Sequence, residues 1–257
     1  MSWAYAVVVF TYGIVVGSFL NVCIYRLPLA KSIIHPRSGC PRCGQPLAWY
    51  DNIPLLSWLW LRGRCRHCRQ PIAVLYPLVE LTAGLLALQV VHQFGLTIIS
   101  GWIVLFGFAL LVLTVIDFYH YILPDVITLP GIVLGVVVAG LPVSGPPLPP
   151  LEASLIGAVA GGGGLWLFAW LFEKMTGKVG MGMGDIKLLA MIGAWLGWQS
   201  LPLTLFCAGL VGSVVGVIWI VVSGRDRSQP IPFGPYLATG AWVYLFYGPE
   251  IYRWYLS

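Results

Sequence analysis

About eight apolar stretches, each roughly 17–23 residues long, follow one another along this chain with short connections between most of them. A helix needs about 20 such residues to cross roughly 30 Å of hydrocarbon. In lipid each backbone amide must be satisfied within its own segment, so runs of this length fold as helices. They are too long and too little alternating for barrel strands. Only 9% of the residues are charged and 59% are hydrophobic, against about 25% charged in a soluble domain. The expectation is an all-α polytopic membrane protein. Its spans fall at about 4–25, 72–92, 97–116, 126–142, 153–172, 186–201, 203–223 and 236–250. The sixth is short and interrupted by glycines. The first lacks a basic leader and a small-residue cleavage site before Arg26, and reads as a retained anchor.

Orientation follows from the basic residues. The loop after the first span holds Arg26, Lys31, Arg37, Arg42, Arg62, Arg64, Arg66 and Arg69. Lys174, Lys178 and Lys187 flank the fifth and sixth spans, and Arg225 and Arg227 follow the seventh. With the N-terminus outside, all but Arg253 of the 14 Lys and Arg residues face the cytoplasm. The net charge of +5 is therefore a topology signal. No basic stretch is interleaved with stacking aromatics, so nucleic acid is not an expected partner. The lipid bilayer is.

Three parts are expected: a first transmembrane helix at 1–25, a cytoplasmic loop domain at 26–71, and a multi-helix membrane domain at 72–257. The loop domain is too small for a conventional core and needs a staple. Cys40-Pro41-Arg42-Cys43 and Cys65-Arg66-His67-Cys68 supply one. Two C-x-x-C knuckles at this separation suit four thiolates around a structural Zn²⁺. Redox disulfides are the alternative, disfavoured in a reducing cytoplasm. A closed Cys₄ shell leaves no open position for catalysis. Cys23 and Cys207 lie within spans and read as inert packing residues. No internal repeat is evident. Gly161 through Gly164, inside the fifth span, reads as a close-packing face.

The chain has nine acidic residues. Glu152, Glu173, Asp226 and Glu250 lie in loops or at ends and read as solvated. Asp51 reads as a turn residue in Asp51-Asn52-Ile53-Pro54. Glu80 falls inside the second span and needs a polar partner or a ligand. Asp125 follows Pro124 and reads as the N-cap of a helix. Asp117 ends a span, where a helix C-terminus disfavours negative charge. Asp185 follows Gly180-x-Gly182-x-Gly184, which is neither a P-loop nor a dinucleotide fingerprint. Gly182 and Gly184 let the backbone turn tightly and admit an extended peptide beside the acid. Asp117 and Asp185 both fall at the cytoplasmic membrane edge in this topology. Two such carboxyls can share a proton and activate a water, the chemistry of an aspartic protease. Ser18, Ser57 and Ser100 lack a His–acid arrangement, and no H-E-x-x-H motif is present.

Taken together, these residues resemble the bacterial type IV prepilin leader peptidases, a family of GxGD-type membrane aspartyl proteases. Gly17-Ser18-Phe19-Leu20-Asn21-Val22 with Arg26-Leu27-Pro28 is similar to the family's first-helix signature. The four cysteines resemble its zinc loop. Asp117 through Pro124-Asp125, and Gly182-Met183-Gly184-Asp185-Ile186-Lys187, resemble its aspartate motifs. Pro232-Phe233-Gly234-Pro235-Tyr236 resembles its C-terminal signature. The resemblance implies that Asp117 and Asp185 are catalytic, with Asp125 in support. It implies prepilin or pseudopilin substrates cut at the inner face of the bacterial inner membrane. It also implies methylation of the new N-terminal amine by S-adenosylmethionine, for which no nucleotide motif is visible. Read from the residues alone, two other functions stay open. One is a scaffold whose zinc loop docks a cytoplasmic partner. The other is an ion-coupled transporter using Glu80, Asp117 and Asp185, although edge-placed acids count against it.

Overall fold

The computed structural model describes residues 3–142, 145–177, 180–223 and 232–256. Lys178, Arg225, Asp226 and Arg227 lie outside the described residues. The helices are α1 (Trp3–Arg26), α2 (Leu56–Trp60), α3 (Leu75–Phe94), α4 (Ile98–His120), α5 (Asp125–Ala139), α6 (Leu151–Thr176), α7 (Met183–Leu196), α8 (Ser200–Ser223) and α9 (Gly234–Leu256). Among the described residues no strand forms, only the isolated bridges Gly39–Pro46 and Arg64–Pro71. The protein is an all-helical, multi-pass membrane protein.

Each expected span has a helix, and α2 is an extra short one inside the loop. The expected count of about eight crossings is not confirmed, however. Among the described residues five helices are long and apolar enough to cross: α1, α3, α4, α6 and α8. Helix α9, though 23 residues long, is not among them. Helix α5 has 15 residues and α7 has 14, short of the roughly 20 a crossing requires. Ile186 and every residue from Leu188 to Leu196 are buried, packed by α5, α6, α8 and α9. Helix α7 is thus both apolar and wrapped in protein.

The chain divides into two compact units, Met1–Val112 and Leu113–Ser257. In the first, α1 packs along α3. A Cβ at Gly13 or Gly17 would collide with the backbone of α3 at Gly84 or Glu80, so small residues let the two backbones touch. Asn21 donates its side-chain amide to the Tyr76 carbonyl at 3.1 Å. Below α1, the Arg26 guanidinium ties the loop by donating to the carbonyls of Ser32 (2.8 Å) and Pro36 (2.7 Å).

In the second unit α6 meets α7 in the same manner. Gly157 and Gly193 abut through their backbones, and Gly161 faces the Leu189 carbonyl. The Ser154 hydroxyl donates to the Ala194 carbonyl at 2.6 Å. The packing face expected over Gly161–Gly164 is thus half right: Gly161 and Gly162 touch α7, whereas Gly163 and Gly164 face open space. Helix α5 is fastened to α7 by the Trp195 indole N–H, which donates to the Gly131 carbonyl at 2.8 Å.

Candidate active site

Helix α4 carries Asp117 in its last turn, and Tyr121 closes that turn by donating its amide to the Asp117 carbonyl at 2.9 Å. Tyr121 takes φ +56°, a costly conformation for a bulky residue. The chain then reverses through Leu123-Pro124 into α5. Asp117 is buried, 5% exposed. Its Oδ2 accepts the backbone N–H of Gly234 at 2.9 Å, in the first turn of α9. The unfavourable end of α4 is therefore offset by the favourable end of another helix, whose free N–H groups attract an anion. A Cβ at position 234 would overlap this carboxylate. Gly234 had a signal in the sequence, Pro-Phe-Gly-Pro, but its partner 117 residues away did not.

Asp185 stands in the first turn of α7, whose N-cap is Gly182. The Asp185 amide donates to the Gly182 carbonyl at 3.2 Å, and the Asp185 carboxyl accepts the Gly182 N–H in return. This is the acidic half of a capping box, with glycine where Ser or Thr often stands. The carboxyl is also close enough to Asp117 for the two charges to repel. Leu123 joins the two sites. Its side chain lies where a Cβ on Gly184 or Gly234 would point, so it wedges the starts of α7 and α9 beside each other.

Asp125 is placed differently from the expectation. Pro124 takes the N-cap of α5 and makes no side-chain cap, while Asp125 is the first helical residue. Its carboxylate instead receives the Lys187 ammonium on both oxygens, at 2.7 and 2.8 Å. Lys187 lies two positions past Asp185, so this pair ties the start of α5 to the first turn of α7. Of the serines considered as nucleophiles, Ser57 donates to the Ile53 carbonyl and Ser100 to the Gly95 carbonyl, and Ser18 pairs with Glu80.

The first unit holds the cysteine cluster. Its four Sγ atoms lie within 4.8 Å of one another, and Cys40 and Cys68 are 3.8 Å apart, sulfur to sulfur. All four are free thiols, so the cluster is one suited to a metal ion. The knuckles are copies of one another, which corrects the expectation of no internal repeat. Each reads C-x-x-C-x-Q-P. In each the first cysteine N–H donates to the glutamine carbonyl at 2.9 Å, and the residue after the second cysteine is left-handed, Gly44 at φ +71° and Arg69 at φ +58°. The Cys43 amide foremost, with that of Arg42, pulls the Cys40 thiol down to about 6. Amides of Cys68 and His67 likewise lower Cys65. Cys68 moves the other way: against the Gln70 amide, burial and the neighbouring thiols push it up to about 11. Four thiols this close do not all ionise without a cation among them.

Asp51 does more than turn the chain. It holds the Arg66 guanidinium of the second knuckle on both carboxylate oxygens, with a shortest contact of 2.6 Å. Tyr50 stacks beneath the same guanidinium at 5.2 Å. Glu80 is buried in α3 and accepts the Leu55 N–H at 2.8 Å, which is the polar partner its position demanded.

Residues 11–94 match the family described as bacterial peptidase A24 N-terminal domain, and residues 103–217 match the type IV leader peptidase family. A prepilin leader peptidase/N-methyltransferase of Aeromonas salmonicida (strain A449) is 43% identical, with 100% of this chain and 96% of the relative covered. One of Pseudomonas aeruginosa is 43% identical, covering 95% of this chain and 91% of the relative. One of Burkholderia pseudomallei is 41% identical, covering 98% and 87%. No solved structure is significantly similar to the chain.

Proposed function

This chain belongs to the type IV prepilin leader peptidase family, and from that premise we propose that Asp117 and Asp185 are its catalytic pair. Its function is removal of the leader from prepilins or pseudopilins, followed by N-methylation of the new terminus. The observation that carries the assignment is the approach of the two carboxyls at the ends of α4 and α7. Each accepts one backbone N–H, from Gly234 and Gly182 respectively.

Two carboxyls that repel one another hold a single proton between them. The ionised one takes a proton from water, whose oxygen attacks the carbonyl carbon at the leader junction. The protonated one donates a hydrogen bond to the carbonyl oxygen as negative charge develops there. Collapse of the tetrahedral intermediate breaks the C–N bond. The departing nitrogen takes a proton from the dyad, leaving a leader carboxylate and a new N-terminal amine. Gly182 leaves room beside Asp185 for an extended backbone, the form a peptide must take to be cut, while Gly184 lets Leu123 pack against the start of α7. Asp125 supports the site through Lys187.

Cys40, Cys43, Cys65 and Cys68 hold a structural Zn²⁺. Zn–S bonds of about 2.3 Å in a tetrahedron set the sulfurs about 3.8 Å apart, the separation found between Cys40 and Cys68. Bound zinc supplies a cross-link between the two knuckles. S-adenosylmethionine, when bound, would supply the methyl group for the new N-terminal amine, which would give up one proton to solvent. The basic residues support an inner-membrane protein with the N-terminus outside and the loop in the cytoplasm. Cleavage of a prepilin-like substrate by variants at the two aspartates tests the reading.

A further inference from the structure

We propose that the methyl donor binds in a cavity of the first unit, with Glu80 as its central polar contact; this rests on the reading that the chain methylates the cleaved pilin. The cavity has a volume of about 420 Å³, within the range of small-molecule sites. It lies between α1, α3 and the knuckle loop, and both cysteine knuckles contribute to its wall. Neither Asp117 nor Asp185 lines it.

Glu80, 8% exposed, is a buried acid among the residues lining the cavity. The Leu55 N–H takes Oε2, and the Ser18 hydroxyl is a second donor. A carboxylate accepts about four hydrogen bonds, so capacity remains for two donors from the cavity. The hydroxyls of a ribose or the ammonium of an amino acid both fit that demand, and the sulfonium charge is attracted to it. Leu55 adopts φ +60° and ψ −52°, outside the regions a leucine prefers. That strained backbone aims its amide at Glu80, and strain of this kind gathers at ligand sites.

The remaining walls suit the rest of such a molecule. Trp58 is held flat by its indole N–H on the Ile72 carbonyl at 3.3 Å and by packing over Gly63, and Tyr76 lines the cavity too. Aromatic faces of this kind stack a purine. Among the cavity's arginines, Arg66 is occupied by Asp51 and Arg26 by loop carbonyls. Arg42 makes no ion pair among the described residues and is exposed, leaving its fork for a carboxylate. A flat ring, hydroxyls, a cation and a carboxylate are the parts of S-adenosylmethionine.

The test uses the full chain, zinc-loaded, in nanodiscs. Binding of S-adenosylhomocysteine is titrated by calorimetry, and tritiated S-adenosylmethionine is photocross-linked and mapped by peptide. We expect label within residues 18–80, at least tenfold weaker binding in Glu80→Gln, and loss of binding in Ala73→Trp, which fills the mouth from an exposed position. Zinc content and thermal unfolding report that each variant is folded. Label confined to residues 113–257, or wild-type affinity in both variants, overturns the site while leaving methylation intact. A wild-type protein that neither binds the donor nor methylates a cleaved pilin overturns the reading beneath it.

Discussion

The carboxylate of Asp117 accepts the amide of Gly234 at 2.9 Å, so the last turn of α4 is closed against the first turn of α9 by a bond spanning 117 residues. A methyl group at position 234 would overlap that carboxylate. Gly234→Ala should therefore displace Asp117 and reduce prepilin cleavage about 100-fold, the cost of roughly 1 Å of misplacement. Zinc content should not change, because the cysteines belong to the other unit. Steady-state cleavage and metal analysis on the same preparation check this.

Lys187 and Asp125 form a partly exposed ion pair, worth about 0–1 kcal/mol of stability in its own right. Its effect should be positional. Lys187→Asp or Asp125→Lys alone should lower cleavage about tenfold with little change in thermal unfolding. The double reversal should recover most of the rate. Cleavage measured across a salt series would also fall as the pair is screened.

The knuckle loop should fail with its metal. Cys40→Ser should carry no zinc and should lose loop order, read as proteolysis between residues 26 and 71. Acidification should do the same to the wild type. The four cysteines bind zinc as thiolates, so protons compete with the metal for them, and zinc release followed by a chromogenic chelator should rise as pH falls.

Two glycines in the second unit should behave oppositely. Gly193→Val drives a side chain into the Gly157 backbone and should cost about 3 kcal/mol or more. Gly164→Ala, which meets open space, should be neutral or slightly stabilising through helix propensity. Unfolding in mixed detergent micelles compares the two.

Helix positions were legible because apolar length and loop charge are local properties. Bounds of α1, α3 and α4 fall within a few residues of those expected, and the four cysteines announce themselves by spacing. What escaped depends on contacts distant in sequence. Burial of α7 by four other helices has no local mark. The same holds for Gly234 on Asp117, Lys187 on Asp125, and Leu55 on Glu80. Asp125 after proline satisfied a capping pattern, yet a lysine 62 residues away offered its carboxylate a stronger, charge-assisted partner. The knuckle repeat was present in the letters, but its significance lay in Gln45 and Gln70, whose carbonyls close each turn.

The most direct measurement is cleavage of a prepilin-like substrate, carrying a basic leader, a Gly–Phe junction and an apolar segment, by membranes containing wild type, Asp117→Asn or Asp185→Asn. With equal insertion and zinc content, each variant should lose about 10³-fold or more of the rate, and the double variant should lose little beyond that. Retained cleavage in either single variant would remove that aspartate from the chemistry and contradict the catalytic pair.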